Sequence, residues 1–143
     1  MENSIKQHRK IMASASRVWE VLLDPNLTKE WAYPFYPGTW VEADWKKGGL
    51  VIWKAGEGQI GAKGIVTAIE RNQLIEISYF DEIDMEPAGP TGKYKETFTL
   101  SSIENKTLLS VEAGPLDRDN ITKHSPMWEQ ALEIIQQLAE NKN

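Results

Sequence analysis

Ser125-Pro-Met-Trp128-Glu-Gln-Ala131-Leu132-Glu-Ile-Ile135-Gln-Gln-Leu138-Ala139-Glu140 is the stretch whose reading decides the fold. Trp128, Ala131, Leu132, Ile135, Leu138 and Ala139 recur at helical spacing and make one apolar stripe. Glu129, Gln130, Glu133, Gln136, Gln137 and Glu140 fall mostly on the other side. Ser125-Pro126 reads as the start: a serine hydroxyl accepts from orphan backbone amides, and proline suits the first helical position. A helix with a single apolar face must bury it against another element.

That element is written upstream. Short apolar runs bounded by turn residues predict strands at about 40–45, 50–55, 62–70, 74–80, 94–102 and 107–113. Between them stand Lys46-Lys-Gly-Gly49, Gly56-Glu-Gly58, Arg71-Asn72 and Glu104-Asn-Lys106, the spacing of consecutive hairpins. The exception is a longer acidic connection, Asp81 to Gly92, with Pro87, Gly89 and Pro90. Further back, Ile5 to Met12 is a candidate first strand, and Ser14 caps a helix carrying Val18, Val21 and Leu22. Asp24-Pro25 ends that helix, because a residue before proline avoids the helical region. Pro25 opens a second short helix with Leu27 and Trp31 on one face. The order is strand, two short helices, six strands, long helix. Segregated helices and hairpin strands predict an α+β fold: a curved seven-stranded antiparallel sheet around the last helix, in one domain spanning 1–143.

Composition narrows the chemistry. The absence of cysteine excludes disulfides, thiolate metal sites and a cysteine nucleophile. The net charge is −5 and the basic residues are scattered, so no phosphate-neutralising stripe points to nucleic acid. No apolar run approaches the roughly 20 residues of a membrane span, and Met1 to Lys10 lacks the apolar core of a signal peptide. The expectation is a cytoplasmic protein without membrane insertion, cofactor or metal.

Gly56-Glu-Gly-Gln-Ile-Gly61 matches a dinucleotide-binding spacing, but that chemistry needs a helix immediately afterwards, and Ala62 to Glu70 reads as strand. The pattern is therefore read as a hairpin turn. His8 sits among charges on an expected edge strand, and His124 precedes the expected helix start near a cavity mouth; neither has a triad pattern around it. Asp81, Glu82, Asp84 and Glu86 lack the spacing of a calcium loop, although their connection is a candidate lid. Glu96 stands apart. If Phe98 and Leu100 point inward, so do Glu96 and Tyr94. A carboxylate in an apolar row is costly unless paired. It is either a polar anchor or acid/base at one end of a pocket, or a paired, wet residue near a strand end.

Ile11-Met-Ala-Ser-Ala-Ser-Arg-Val18-Trp19-Glu-Val-Leu-Leu-Asp24-Pro25, with Leu27 and Trp31 after it, resembles the opening of START-like helix-grip domains. More narrowly it resembles the heat-shock-protein ATPase activator homologue branch. Gly48-Gly49, Gly64-Ile-Val-Thr-Ala-Ile-Glu70, Leu74-Ile-Glu-Ile-Ser-Tyr79, Glu96-Thr-Phe-Thr-Leu100, Thr107-Leu-Leu-Ser-Val111 and the helix opened by Trp128 extend the likeness over nearly the whole chain. Met127 departs from it, since glycine commonly precedes that tryptophan in the family. The resemblance implies a cavity between sheet and helix. It also implies a range of roles: lipid or hormone carriage, polyketide cyclisation and chaperone binding.

The leading expectation is a binding module for a small apolar or amphipathic molecule. Its walls would be Trp31 and Phe35 from the helix and loop, Tyr79, Tyr94 and Phe98 from the sheet, and Met127, Trp128 and Leu132 from the last helix. Glu96 and the tyrosine hydroxyls would orient polar ends. The alternatives are a protein-interaction domain with a chaperone as partner, and a cyclase- or hydrolase-like enzyme using Glu96 or His124. The second alternative ranks last, because no nucleophile, metal cluster or cofactor loop is visible.

Overall fold

A computed structural model describes residues 3–81 and 92–141. The elements run β1 (Ile5–Ile11), α1 (Ala15–Leu23), α2 (Pro25–Trp31), β2 (Trp40–Ala43), β3 (Leu50–Ala55), β4 (Gln59–Glu70), β5 (Leu74–Tyr79), β6 (Lys95–Ile103), β7 (Lys106–Gly114) and α3 (Arg118–Glu140). All seven strands form one antiparallel sheet in the order β1-β7-β6-β5-β4-β3-β2. β2 to β7 is a simple meander, and β1 joins its far edge beside β7. Two extra residues on β4, Gly61 against β3 and Thr67 against β5, interrupt the register. Such bulges bend a strand and deepen its twist, which curves the sheet around α3.

Local chemistry explains the ends. Ser14 Oγ accepts from the amide of Arg17, and Asp24 Oδ1 accepts from that of Asn26, so Asp24 ends α1 and caps α2. Asn72, Glu104 and Asn105 take positive φ in the two tight hairpins, where Asn tolerates the left-handed region. Gly56 and Gly58, at φ 59° and 99°, turn β3 into β4, so the glycine pattern there is a hairpin.

The last helix corrects the sequence reading. It begins seven residues before Ser125, with Asp117 as cap accepting from the amide of Asn120 at 2.8 Å. Pro126 lies inside the helix, and Ser125 is no cap: its Oγ donates to the carbonyl of Ile121 one turn back. Gln7 of β1 donates to the Ser125 carbonyl, tying sheet to helix beside the proline. Two smaller differences concern strand ends. β2 stops at Ala43, leaving Trp45 in the β2–β3 connection, and β4 starts at Gln59, because the bulge lets the strand run back through Gly61. The acidic connection read as a lid falls, for 82–91, outside the described residues.

Alternation then places the core. Ile5 and Ile11 of β1, Leu109 and Val111 of β7, and Phe98 and Leu100 of β6 are buried toward α3, whose Trp128, Ala131, Leu132, Ile135 and Ala139 are buried in return.

Candidate functional site: an acid among aromatics

Glu96 lies on the inward row of the sheet. Its lateral neighbours are Ile77 on β5 and Ala113 on β7, and Ala113 in turn faces Ile5 on β1. These three neighbours are buried and apolar. The residue keeps some exposure, but its carboxyl group sits deep among protein atoms.

Two phenols hold it. The hydroxyl of Tyr94 donates to Glu96 Oε2 at 2.7 Å, and that of Tyr79 donates to Oε1 at 3.3 Å. The Tyr79 oxygen itself accepts from Trp53 Nε1 at 3.0 Å. The chain of donors therefore runs Trp53 to Tyr79 to Glu96, and the carboxyl group is where it ends. Gly64, opposite Tyr79 on β4, makes this possible. A Cβ at Gly64 would stand 2.7 Å from the Ser78 carbonyl oxygen and 3.0 Å from the Tyr79 ring.

The electrostatics follow from burial. Loss of water pushes the Glu96 carboxyl above its usual range, and the bonds from Tyr94 and Tyr79 counter this only in part. Burial also pushes both phenols upward, Tyr79 and Tyr94 alike, and the neighbouring carboxylate adds to it. Both tyrosines thus stay neutral donors across the physiological range.

In front of Glu96 lies a narrow gap with aromatic walls. Trp31, Trp45, Trp53 and Phe98 line it together with Leu22, Leu23, Ile75 and Ile77. Trp31 meets Trp53 and Phe98 edge-on, each with ring centroids 6.0 Å apart. The remaining space is about 10 Å³, room for about one water molecule. The protein's own side chains fill the interior.

The expected site residues separate accordingly. Trp31, Glu96 and Phe98 line the gap, and Tyr79 and Tyr94 hold its acid. Trp128 stands behind Phe98 at 5.8 Å and Phe35 packs on Trp128 at 4.7 Å, so Trp128 backs a wall of the gap, Phe35 lies one ring further out, and neither lines it. Leu132 is core further along α3, and Met127 is half-buried beside Trp128. His124 sits within the helix, where burial and then the nearby Lys123 lower its pKa; it does not reach Glu96 or the gap. Trp45 and Trp53 were missing from the expected walls. Alternation from Val51 places Trp53 inward, and alternation from Val41 along the expected strand at 40–45 points Trp45 to the same face; the structure ends that strand at Ala43 and brings Trp45 to the gap from the connection.

Elsewhere, a shallower depression of about 220 Å³ lies on the outer sheet face among Lys6, His8, Thr97, Thr99, Ser110 and Glu112. Among the described residues, no three of His, Cys, Asp and Glu come together as metal ligands, and no helix is long and apolar enough to cross a membrane.

The family described as Activator of Hsp90 ATPase homolog 1-like protein matches residues 12–140. The chain belongs to that family. Its START-like, helix-grip architecture agrees with solved structures. Protein MLL2253 from Mesorhizobium loti is 22% identical, with 98% of each chain covered and a TM-score of 0.74. CalU16 from Micromonospora echinospora is 21% identical over 97% of this chain and 77% of that one, with a TM-score of 0.71. The Aha1 dimer from Colwellia psychrerythraea is 16% identical over 96% of each chain, at a TM-score of 0.71. At such identities the likeness is one of fold. No curated protein matches the chain.

Proposed function

We propose that this family member binds a small molecule at the Glu96 end of the space between sheet and α3. One observation carries the reading: a carboxyl group is kept on an otherwise apolar row, at the wall of an aromatic gap, by two tyrosines and a glycine that makes room for one of them. An aliphatic side chain there would pack without the cost of desolvating an acid. Ligand pockets combine apolar and aromatic walls with a few placed polar groups, and this gap has that composition. Its size argues for a small occupant that opens the site on entry; drug-sized ligands occupy roughly 300–1,000 Å³. The most movable wall is Trp45, half-buried in a connection and fixed by one hydrogen bond to the Leu23 carbonyl at 3.0 Å.

The test is a fragment screen read by tryptophan fluorescence, with mass spectrometry of small molecules that co-purify. A ligand should perturb Trp45 and Trp53, and Glu96→Gln should change which fragments bind. A screen in which no fragment alters the emission, with nothing co-purifying, sinks the reading.

A second reading, a protein-interaction domain acting on a chaperone ATPase, has its own support. The interior is filled, and Tyr33 and Tyr36, three apart in the α2–β2 connection, are 59% and 62% exposed. If it holds, adding the domain to an Hsp90-class ATPase raises turnover, and Tyr33→Ser with Tyr36→Ser removes the effect. Unchanged turnover with the intact domain would remove this reading.

A further inference from the structure

We infer that the occupant of the Glu96 gap is a small organic cation, an ammonium or guanidinium group, and not an acid or a neutral apolar molecule. This deepens the small-molecule reading above and rests on it.

The argument is an inventory of what the walls offer. Three of the wall residues carry an indole N–H, and all three are spent inside the protein. Trp31 donates to the Val21 carbonyl at 2.9 Å, Trp45 to the Leu23 carbonyl at 3.0 Å, and Trp53 to the Tyr79 oxygen at 3.0 Å. Both phenol hydrogens point at Glu96. The one buried indole N–H without an acceptor among the described residues, on Trp128, is not part of the lining. With Glu96 ionised, the gap thus offers no donor to an anion.

What it offers instead is acceptor and π density. A carboxylate has about four lone-pair sites, and the phenols take two of those on Glu96. Three indole rings and one phenyl ring surround the rest, and aromatic faces attract cations. Among the described residues, no lysine, arginine or histidine pairs with Glu96; the two phenols are its partners. Lys95, its chain neighbour, points to the outer face and pairs with Glu76. A bound cation would supply the missing countercharge to a carboxylate that burial otherwise disfavours. Tyr79 and Tyr94, the other titratable groups on this site, stay protonated, so the charge to be neutralised is the single one on Glu96.

The experiment uses matched probes: n-propylammonium, trimethylammonium and methylguanidinium, with n-propanol and propionate as neutral and anionic counterparts. Binding is followed on the indole N–H signals of the intact protein by two-dimensional NMR. The cations should shift the Trp45 and Trp53 signals and bind at least about tenfold more tightly than n-propanol, with propionate silent. Glu96→Gln should lose about tenfold or more in cation affinity, and Glu96→Asp should restore part of it. Should the glutamine variant fail to fold, the charge preference is still read on the unaltered protein from the matched probes. Binding of n-propanol or propionate as tight as that of the cations, or undiminished cation binding by a folded Glu96→Gln protein, overturns the inference. If the cations are silent while the wider fragment screen finds a neutral ligand, only this inference falls. If both fail, the small-molecule reading falls with it.

Discussion

Around the C-terminal half of α3, the core is aliphatic and its rim is laced shut. Ile135 and Ala139 are fully buried, as are Ile11 of β1 and Val18 of α1. Arg9 donates to Gln136, Arg17 to the Leu138 carbonyl, and the Met12 amide to Glu140. Around Glu96 the materials are different: indoles, phenols and a carboxyl, a residual gap, and nearby an indole N–H on Trp128 with no acceptor among the described residues. The first region spends its sequence on stability. The second holds groups whose burial opposes stability, and such groups concentrate where a protein does something.

The contrast can be broken by experiment. The largest effect belongs to the sealed end: Ile135→Ala should cost about 3–4 kcal/mol in urea denaturation, because it leaves a cavity among fully buried neighbours. A cost under about 1 kcal/mol would mean that this end is as loosely packed as the other. Gly64→Ala comes next, at about 2 kcal/mol, since the new methyl collides with the Ser78 carbonyl and crowds the Tyr79 ring. The Trp53 indole signal should move at the same time, because its acceptor is displaced. Tyr94→Phe removes one hydrogen bond to the carboxyl group and should cost about 1.5 kcal/mol when Glu96 is charged. The loss should shrink on acidification.

The subtlest test is a pH series of Glu96→Gln. Burial raises the folded-state pKa of Glu96, so the folded protein holds its proton more tightly than the unfolded chain does. The stability that Glu96 contributes is complete below the ordinary carboxylate range and is lost as pH rises toward the raised value. Relative to the parent, Glu96→Gln should therefore gain stability with rising pH across that window and level off above it. Parallel curves would show that the acid is not desolvated, and the contrast between the two regions would fail.

The fold was legible because its evidence is periodic. Val18, Val21 and Leu22 announce α1, and strand alternation through Glu96, Phe98 and Leu100 is enough to put the acid on the inner face. The start of α3 was not legible: Arg118 to His124 is mostly polar, with Ile121 alone facing the core, and Ser125-Pro126 imitates a helix start more strongly than Asp117 does. Trp45 was expected in a strand at 40–45, but the strand ends at Ala43, so its ring reaches the gap from a connection whose path no alternation sets. The smallness of the gap escaped because it depends on how four rings interlock, which is a matter of packing in three dimensions. The pairing of Trp53 with Tyr79, 26 residues apart, depends on the register across a bulged strand.

The position of β1 has a consequence for how the chain is made. Ile5 pairs with Ala113, and the Met12 amide is satisfied by Glu140. At roughly 5–20 residues per second on the ribosome, the first strand waits about 5–20 seconds for its partner to be translated. For that interval the two isoleucines at the ends of β1, Ile5 and Ile11, have no core to enter, and the closing helix has yet to emerge. The strand of this sheet that is made first is among the last to find its seat.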